Sequence, residues 1–64
     1  MDKTVEYKGH SIAAETHKRG RGYQWSYQID GGPIRTGKDR PLRSEAIMLA
    51  EAIDEAKFTI DNME

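Results

Sequence analysis

The most regular stretch of this 64-residue chain is Tyr23-Gln24-Trp25-Ser26-Tyr27-Gln28-Ile29. Aromatic or branched apolar residues alternate there with polar residues at a period of two, which is typical of a half-buried β-strand. The apolar face of this strand is therefore predicted to pack in the core. The opposite face, with Gln24, Ser26 and Gln28, is predicted to meet solvent or a partner.

Shorter strand patterns flank this stretch on both sides. The sequence predicts strands over residues 4–7 and from 10 to about 16, joined by a tight turn at Lys8-Gly9. A turn at 30–33 leads to a short strand over 34–36, where Pro33 suits a strand end or an edge. The predicted core face of the sheet carries Val5, Tyr7, Ile12, Ala14, Tyr23, Trp25, Tyr27 and Ile29. The predicted open face carries Glu6, Ser11, Glu15, Gln24, Ser26, Gln28 and Arg35.

Residues 45–61 form one predicted helix. Ser44 is a favourable N-cap, and Glu45 places negative charge where the helix dipole favours it. The chain is thus predicted to be a single α+β domain, residues 1–64, with a small antiparallel sheet of three to four strands and one C-terminal helix on one face. The strands and turns occupy about residues 4–37. The predicted apolar stripe of the helix consists of Ala46, Leu49, Ala50, Ile53, Ala56 and Ile60.

Composition excludes several classes of function. The chain has no cysteine, which excludes disulfides and cysteine-based zinc sites. It has no apolar signal region and no apolar run of membrane-spanning length, so we predict a cytoplasmic protein with no membrane partner. His10 and His17 fall on opposite faces of a strand, which is poor geometry for a metal. We expect no enzyme activity, no cofactor, no metal and no small-molecule substrate, because so thin a fold leaves little room for a deep pocket.

Charge is distributed unevenly along the chain. The net charge is −1, but residues 1–44 hold nine Lys or Arg against five acids, and residues 45–64 carry a net −5. This separation could serve solubility, a phosphate-binding surface or head-to-tail self-association. Residues 17–22 are predicted to be a basic, glycine-rich loop. The candidate nucleic-acid-binding residues are Lys18, Arg19, Arg21, Gln24, Ser26, Gln28, Arg35, Lys38 and Arg40.

In this first hypothesis, the basic side chains hold phosphates and the polar row on the open face contacts base edges. Glu6 and Glu15 on the same face would repel phosphates. The second hypothesis is a protein-interaction or accessory protein, dimeric through an edge strand or through Ile47 and Phe58. These two residues lie outside the predicted helix stripe, and three outcomes are open: Phe58 wraps the end of the sheet, the pair lies exposed, or the pair forms an interface.

Residues 23–57 also carry a family resemblance. Tyr23, Trp25 and Tyr27 are followed by Thr36-Gly37-Lys38-Asp39-Arg40 and then by the helix start Ser44-Glu45-Ala46. This order resembles the arm-type N-terminal DNA-binding domain of phage tyrosine integrases. The resemblance implies a three-stranded sheet followed by a helix, in a protein related to phages or mobile elements. It also implies that the exposed face of the sheet enters the DNA major groove.

Overall fold

The computed structural model describes residues 1–37 and 44–63 of the chain. Four strands form one antiparallel sheet in the order β1-β2-β3-β4, so β1 and β4 lie at its edges. The helix α1 packs on one face of this sheet, which confirms the predicted α+β architecture. The elements are β1 (Asp2–Tyr7), β2 (His10–Arg19), β3 (Gly22–Ile29), β4 (Arg35–Thr36) and α1 (Glu45–Met63).

The β2–β3 hairpin is longer than the sequence predicts. Its register continues without interruption to the Arg19–Gly22 pair, and the turn consists of only Gly20 and Arg21. Gly20 has a φ of 60°, a left-handed conformation that glycine adopts without steric cost and that suits the first position of a two-residue hairpin turn. The prediction of a loop over residues 17–22 is therefore wrong. The strong alternation of β3 keeps its partner strand paired to the tip, where charged side chains remain exposed.

The core lies between α1 and one face of the sheet. Trp25 and Tyr27 stack with their ring centroids 5.8 Å apart, and the fully buried Ala52 and Ala56 let the helix approach the sheet closely. The predicted core face of the sheet is confirmed. The buried apolar residues are Ile12, Ala14, Trp25, Tyr27, Met48, Leu49, Ala52, Ala56 and Ile60, with Val5, Tyr7, Tyr23, Ile29 and Ile53 partly buried against them.

The buried stripe of α1 differs from the predicted one. Met48 and Ala52 are buried, whereas Ala46 and Ala50 are exposed. Both sets have helical spacing, so periodicity alone does not choose between them. Because hydrophobic stabilisation grows with the apolar area removed from water, burying the long Met48 side chain outweighs burying a methyl group.

The start of α1 is held against β2. The hydroxyl of Ser44 accepts a hydrogen bond from the amide of Ile47 at 3.3 Å, as the predicted N-cap requires. The Glu45 carboxylate accepts a hydrogen bond from the Thr16 hydroxyl at 2.6 Å and pairs with the amino group of Met1 at 2.9 Å. These two contacts, the Thr16 bond first, hold the pKa of Glu45 below its usual value.

The end of α1 is held against the β1–β2 turn. The Asp61 carboxylate accepts hydrogen bonds from the Lys8 ammonium at 2.7 Å and from the Tyr7 hydroxyl at 3.0 Å. The Lys8 contact is the larger cause of a lowered pKa at Asp61. Lys57 also lies over the Tyr7 ring, 5.4 Å from its centroid. The helix is therefore fastened to the sheet by polar contacts at both ends.

Candidate binding surfaces

The open face of the sheet has an acidic character. Cross-strand neighbours point to the same side of a sheet, and the register aligns Asp2 with Glu15 and Glu15 with Ser26. Glu6 lies on the same face, so three carboxylates occupy the surface that was predicted to approach phosphates. A shallow depression of about 210 Å³ lies on this side of the sheet. It is lined by Asp2, Thr4, Ala13, Ala14, Glu15, Ser26, Tyr27, Gln28 and Ile34.

The polar row of β3 is engaged in local hydrogen bonds. The side-chain amide of Gln24 donates to the Gly37 carbonyl at 3.0 Å, and its oxygen accepts from Arg19 at 2.6 Å. Gln28 similarly donates to the carbonyl of Gly32 at 2.8 Å. These bonds hold both side-chain amides against the protein, and contacts with a base edge would compete with them. The sequence predicted their face but not these bonds, which join positions up to 13 residues apart.

Ser26, His17 and Glu15 come together on the open face. Ser26 is only 2% exposed, and its hydroxyl lies 3.1 Å from His17 Nε2. The Glu15 carboxylate lies 3.3 Å from the same Nε2 atom, since residues 15 and 17 lie on one face of β2. A catalytic triad instead places the nucleophile and the carboxylate on different ring nitrogens. This cluster therefore lacks the relay geometry that would activate the serine.

His10 and Asp30 form a second polar cluster. His10 Nδ1 lies 2.6 Å from the Asp30 carboxylate, which also accepts a hydrogen bond from the Ser11 amide at 2.8 Å. The Ser11 bond first, and then His10, lower the pKa of Asp30. Ser11 contributes its backbone amide to this cluster, so the contacts fasten the β3–β4 turn to β2. Sequence spacing did not indicate this pair, because residues 10 and 30 meet only through the strand register.

Arg35 lies on the helix side of the sheet, and its predicted place on the open face is wrong. The register pairs Arg35 with Tyr27, a core residue, and pairs Thr36 with Ser26. A shift of one residue in register moves every side chain of a strand to the opposite face. The turn before β4 sets that register, and the two-residue strand is too short for its own pattern to indicate it.

Three exposed basic side chains gather at the tip of the β2–β3 hairpin. Lys18, Arg19 and Arg21 are all exposed there. Lys18 aligns with Tyr23 on the helix side, whereas Arg19 lies on the open face. Lys38 and Arg40, the other two predicted phosphate contacts, lie outside the described residues.

Ile47 and Phe58 are exposed on one side of α1, at 54% and 63% of their full accessible surface. This exposure excludes the outcome in which Phe58 wraps the end of the sheet, and the interface at these two residues stays a prediction. Residues three, four, seven, eight and eleven positions apart share one side of an α-helix. We call this side the acidic helix face; it consists of Ile47, Glu51, Asp54, Glu55 and Phe58.

A groove runs beside the acidic helix face, between α1 and β3–β4. Two adjoining depressions, of about 310 and 360 Å³, share Trp25 and Glu55. Trp25 is 9% exposed and forms part of the wall of both depressions, so we call them together the Trp25 groove. No local pattern predicted this groove, because its walls come from separate parts of the chain. They are Trp25, Tyr27, Arg35, Thr36, Gly37, Glu51, Asp54, Glu55, Phe58 and Thr59.

Comparison with family models, with curated proteins and with solved structures found no match for this chain. The resemblance to integrase arm-type domains therefore stays a prediction. Within residues 1–37 and 44–63, no group of three or more His, Asp or Glu side chains is placed to hold a metal ion. In the same part of the chain, α1 lacks the apolar character needed to cross a membrane.

Proposed function

We propose that this protein is a small, non-enzymatic module that binds another protein through the acidic helix face and the adjoining Trp25 groove. The observation that carries this proposal is the exposure of Ile47 and Phe58 on one side of a single helix. Large exposed apolar side chains on one side of a small protein often mark a partner site. A partner that covers them gains the hydrophobic stabilisation that the isolated chain forgoes.

The groove adds shape to this surface. Phe58 and Trp25 both line one of its depressions, so an incoming apolar side chain would contact two aromatic rings. Aromatic anchors in partly enclosed positions supply much of the binding energy in protein interfaces. The open sheet face offers no comparable exposed aromatic group among the described residues.

Selection from a random peptide library displayed on phage tests this proposal directly. Selected peptides should bind the parent protein and lose at least about tenfold in affinity for a Phe58→Ser variant, because the main exposed anchor is gone. An Ile34→Ser variant is the matched control, since Ile34 is as exposed as Phe58, at 64%, but lines the depression on the open face of the sheet. Amide NMR shifts should map to residues 47–59 and to Trp25. Peptides that bind Phe58→Ser as well as the parent would refute the proposal.

Nucleic-acid binding is a second candidate function, and the hairpin tip supports it. Lys18, Arg19 and Arg21 present three exposed cations within four positions. Such a tip could hold phosphates without bringing the carboxylates of the open face against them. A base contact by Gln24 would compete with its present bonds to Arg19 and Gly37.

An amide NMR titration of the labelled protein with short duplex and single-stranded DNA, at low and at physiological salt, tests this second candidate. Affinity should fall as salt rises, because bound cations displace counterions from the phosphates. A double variant with Arg19→Ala and Arg21→Ala should bind more weakly. Arg35→Ala is the control and should bind as the parent does, since Arg35 lies on β4 beside Tyr27 and away from the hairpin tip. Equal binding by the parent, the double variant and Arg35→Ala would refute this candidate. Absence of chemical-shift changes in every titration would refute it as well.

A further inference from the structure

The acidic helix face combines two kinds of chemistry. Ile47 and Phe58 lie at its ends, and Glu51 and Asp54 lie between them. The spacing from Ile47 to Phe58 is eleven residues, or about 16 Å along the helix. Within the described residues, the carboxylates of Glu51, Asp54 and Glu55 take part in no ion pair. Among the residues that the structure describes, this surface therefore offers two apolar anchors separated by carboxylates without an ion-pair partner.

A second copy of the chain is a poor occupant of this face. In an antiparallel helix pair related by a two-fold axis, Ile47 would meet Phe58 of the other copy, which buries both apolar anchors. The same alignment would place Glu51 against Asp54 of the other copy, twice in each dimer. Parallel pairing would place Glu51 against Glu51. Like charges in contact oppose association, and partial desolvation at an interface increases their repulsion.

We propose that the partner of this face is a cationic segment of another protein, with two apolar residues about 16 Å apart and Lys or Arg between them. This inference rests on the proposed function. The apolar residues would contact Phe58 and Ile47. The basic residues would pair with Asp54 and Glu51, and an apolar side chain near Phe58 could also enter the Trp25 groove. A helix with apolar residues at positions i and i+11 and basic residues at i+4 and i+7 satisfies this spacing when it runs antiparallel to α1.

Two helical peptides test the inference. One carries Leu at i and i+11 and Lys at i+4 and i+7, and its twin carries Glu at the two Lys positions. We expect the Lys peptide to bind the parent about tenfold more tightly than the Glu peptide at low salt, since two ion pairs replace two repulsions. The difference should shrink as ionic strength rises. In a variant with Glu51→Lys and Asp54→Lys, both exposed positions, the preference should reverse.

The outcomes separate this inference from the proposed function. Equal binding of both peptides, or no binding of the Lys peptide, would overturn the inference that the partner is cationic. The peptides selected from the phage library would still decide whether this face binds protein at all. Sedimentation equilibrium of the parent and of Phe58→Ser tests whether a second copy of the chain binds this face instead. A dimer that dissociates in Phe58→Ser would also overturn the inference, because a second copy would then occupy the face. Circular dichroism of each variant should match the parent.

Discussion

Replacing Gly37 with alanine should destabilise the fold through a single contact with the core tryptophan. A Cβ atom on Gly37 would lie 2.7 Å from Cε2 and 2.8 Å from Cζ2 of the Trp25 indole. Favourable contacts between carbon atoms lie at about 3.5–4.0 Å, so the backbone or the indole must move by roughly 1 Å. The indole cannot retreat freely, because it stacks on Tyr27 and belongs to the buried core.

Two effects of this substitution oppose each other. Gly37 does not have a left-handed φ, so alanine fits its backbone conformation and should stabilise by about 0.4–1 kcal/mol through the unfolded chain. Overpacking of a core typically costs about 1–3 kcal/mol. The clash therefore outweighs the gain over most of that range, and we expect a net loss of about 1–2 kcal/mol. That is a large share of the roughly 3–10 kcal/mol expected for a domain of this size.

Urea unfolding measures the effect. Trp25 is the only tryptophan, so its fluorescence reports the environment that the substitution disturbs. With a slope near 1 kcal/mol per molar urea for so small a domain, the midpoint should fall by about 1–2 M. A double-mutant cycle with Trp25→Phe, followed by circular dichroism, isolates the contact. In the Trp25→Phe background the cost of Gly37→Ala should nearly disappear, because the smaller ring leaves room for the new methyl group.

Gly20→Ala is the control for this cycle. A Cβ at Gly20 would meet nothing within 4 Å, but its φ of 60° makes alanine strained there. Its cost, about 1–2 kcal/mol, should be the same with Trp25 or Phe at position 25. A Gly37→Ala variant as stable as the parent, or a cost unchanged by Trp25→Phe, would refute the reasoning.

Two further predictions concern the ends of α1. Asp61→Asn should destabilise the protein at neutral pH by weakening the contacts with Lys8 and Tyr7. Folding lowers the pKa of Asp61, so the stabilisation from its carboxylate is present above the unfolded pKa near 4 and is lost as the pH falls through the folded pKa. The thermal unfolding midpoints of parent and variant should therefore converge in acid. A difference in midpoint that stays constant from pH 7 to pH 2 would contradict this. Ser44→Ala should lower the free energy of unfolding in urea by about 1 kcal/mol, because it removes the cap on the Ile47 amide. Ser44→Asp retains a capping oxygen and should lose much less stability. Equal losses in the two variants would exclude capping as the cause.

The sequence predicted the architecture through local patterns. The alternation over residues 23–29 and the turn at Lys8-Gly9 indicated the sheet and one of its hairpins, and Ser44 indicated the start of the helix. These features depend on side-chain periodicity and on capping and turn chemistry within a few residues. They were therefore accessible without knowledge of distant contacts.

The candidate sites were less accessible because they depend on register and on distant neighbours. The turn before β4 decides the face of Arg35, which two residues of strand pattern cannot indicate. Ser26 has the pattern of an exposed residue but is buried beside His17. For both residues, pairing with another strand outweighed the local pattern.

By itself, the sequence determined the strand and helix order, the apolar face of the sheet and the acidic character of the helix. Each of these follows from which residue types recur at a period of two or near 3.6, and from where charge is concentrated along the chain. Only the tertiary structure decided that Phe58 is exposed beside Trp25 and that Arg35 faces the helix side. Strand register and the rotation of α1 are set by the packing of the whole core, so they become visible only when the distant parts of the chain are brought together.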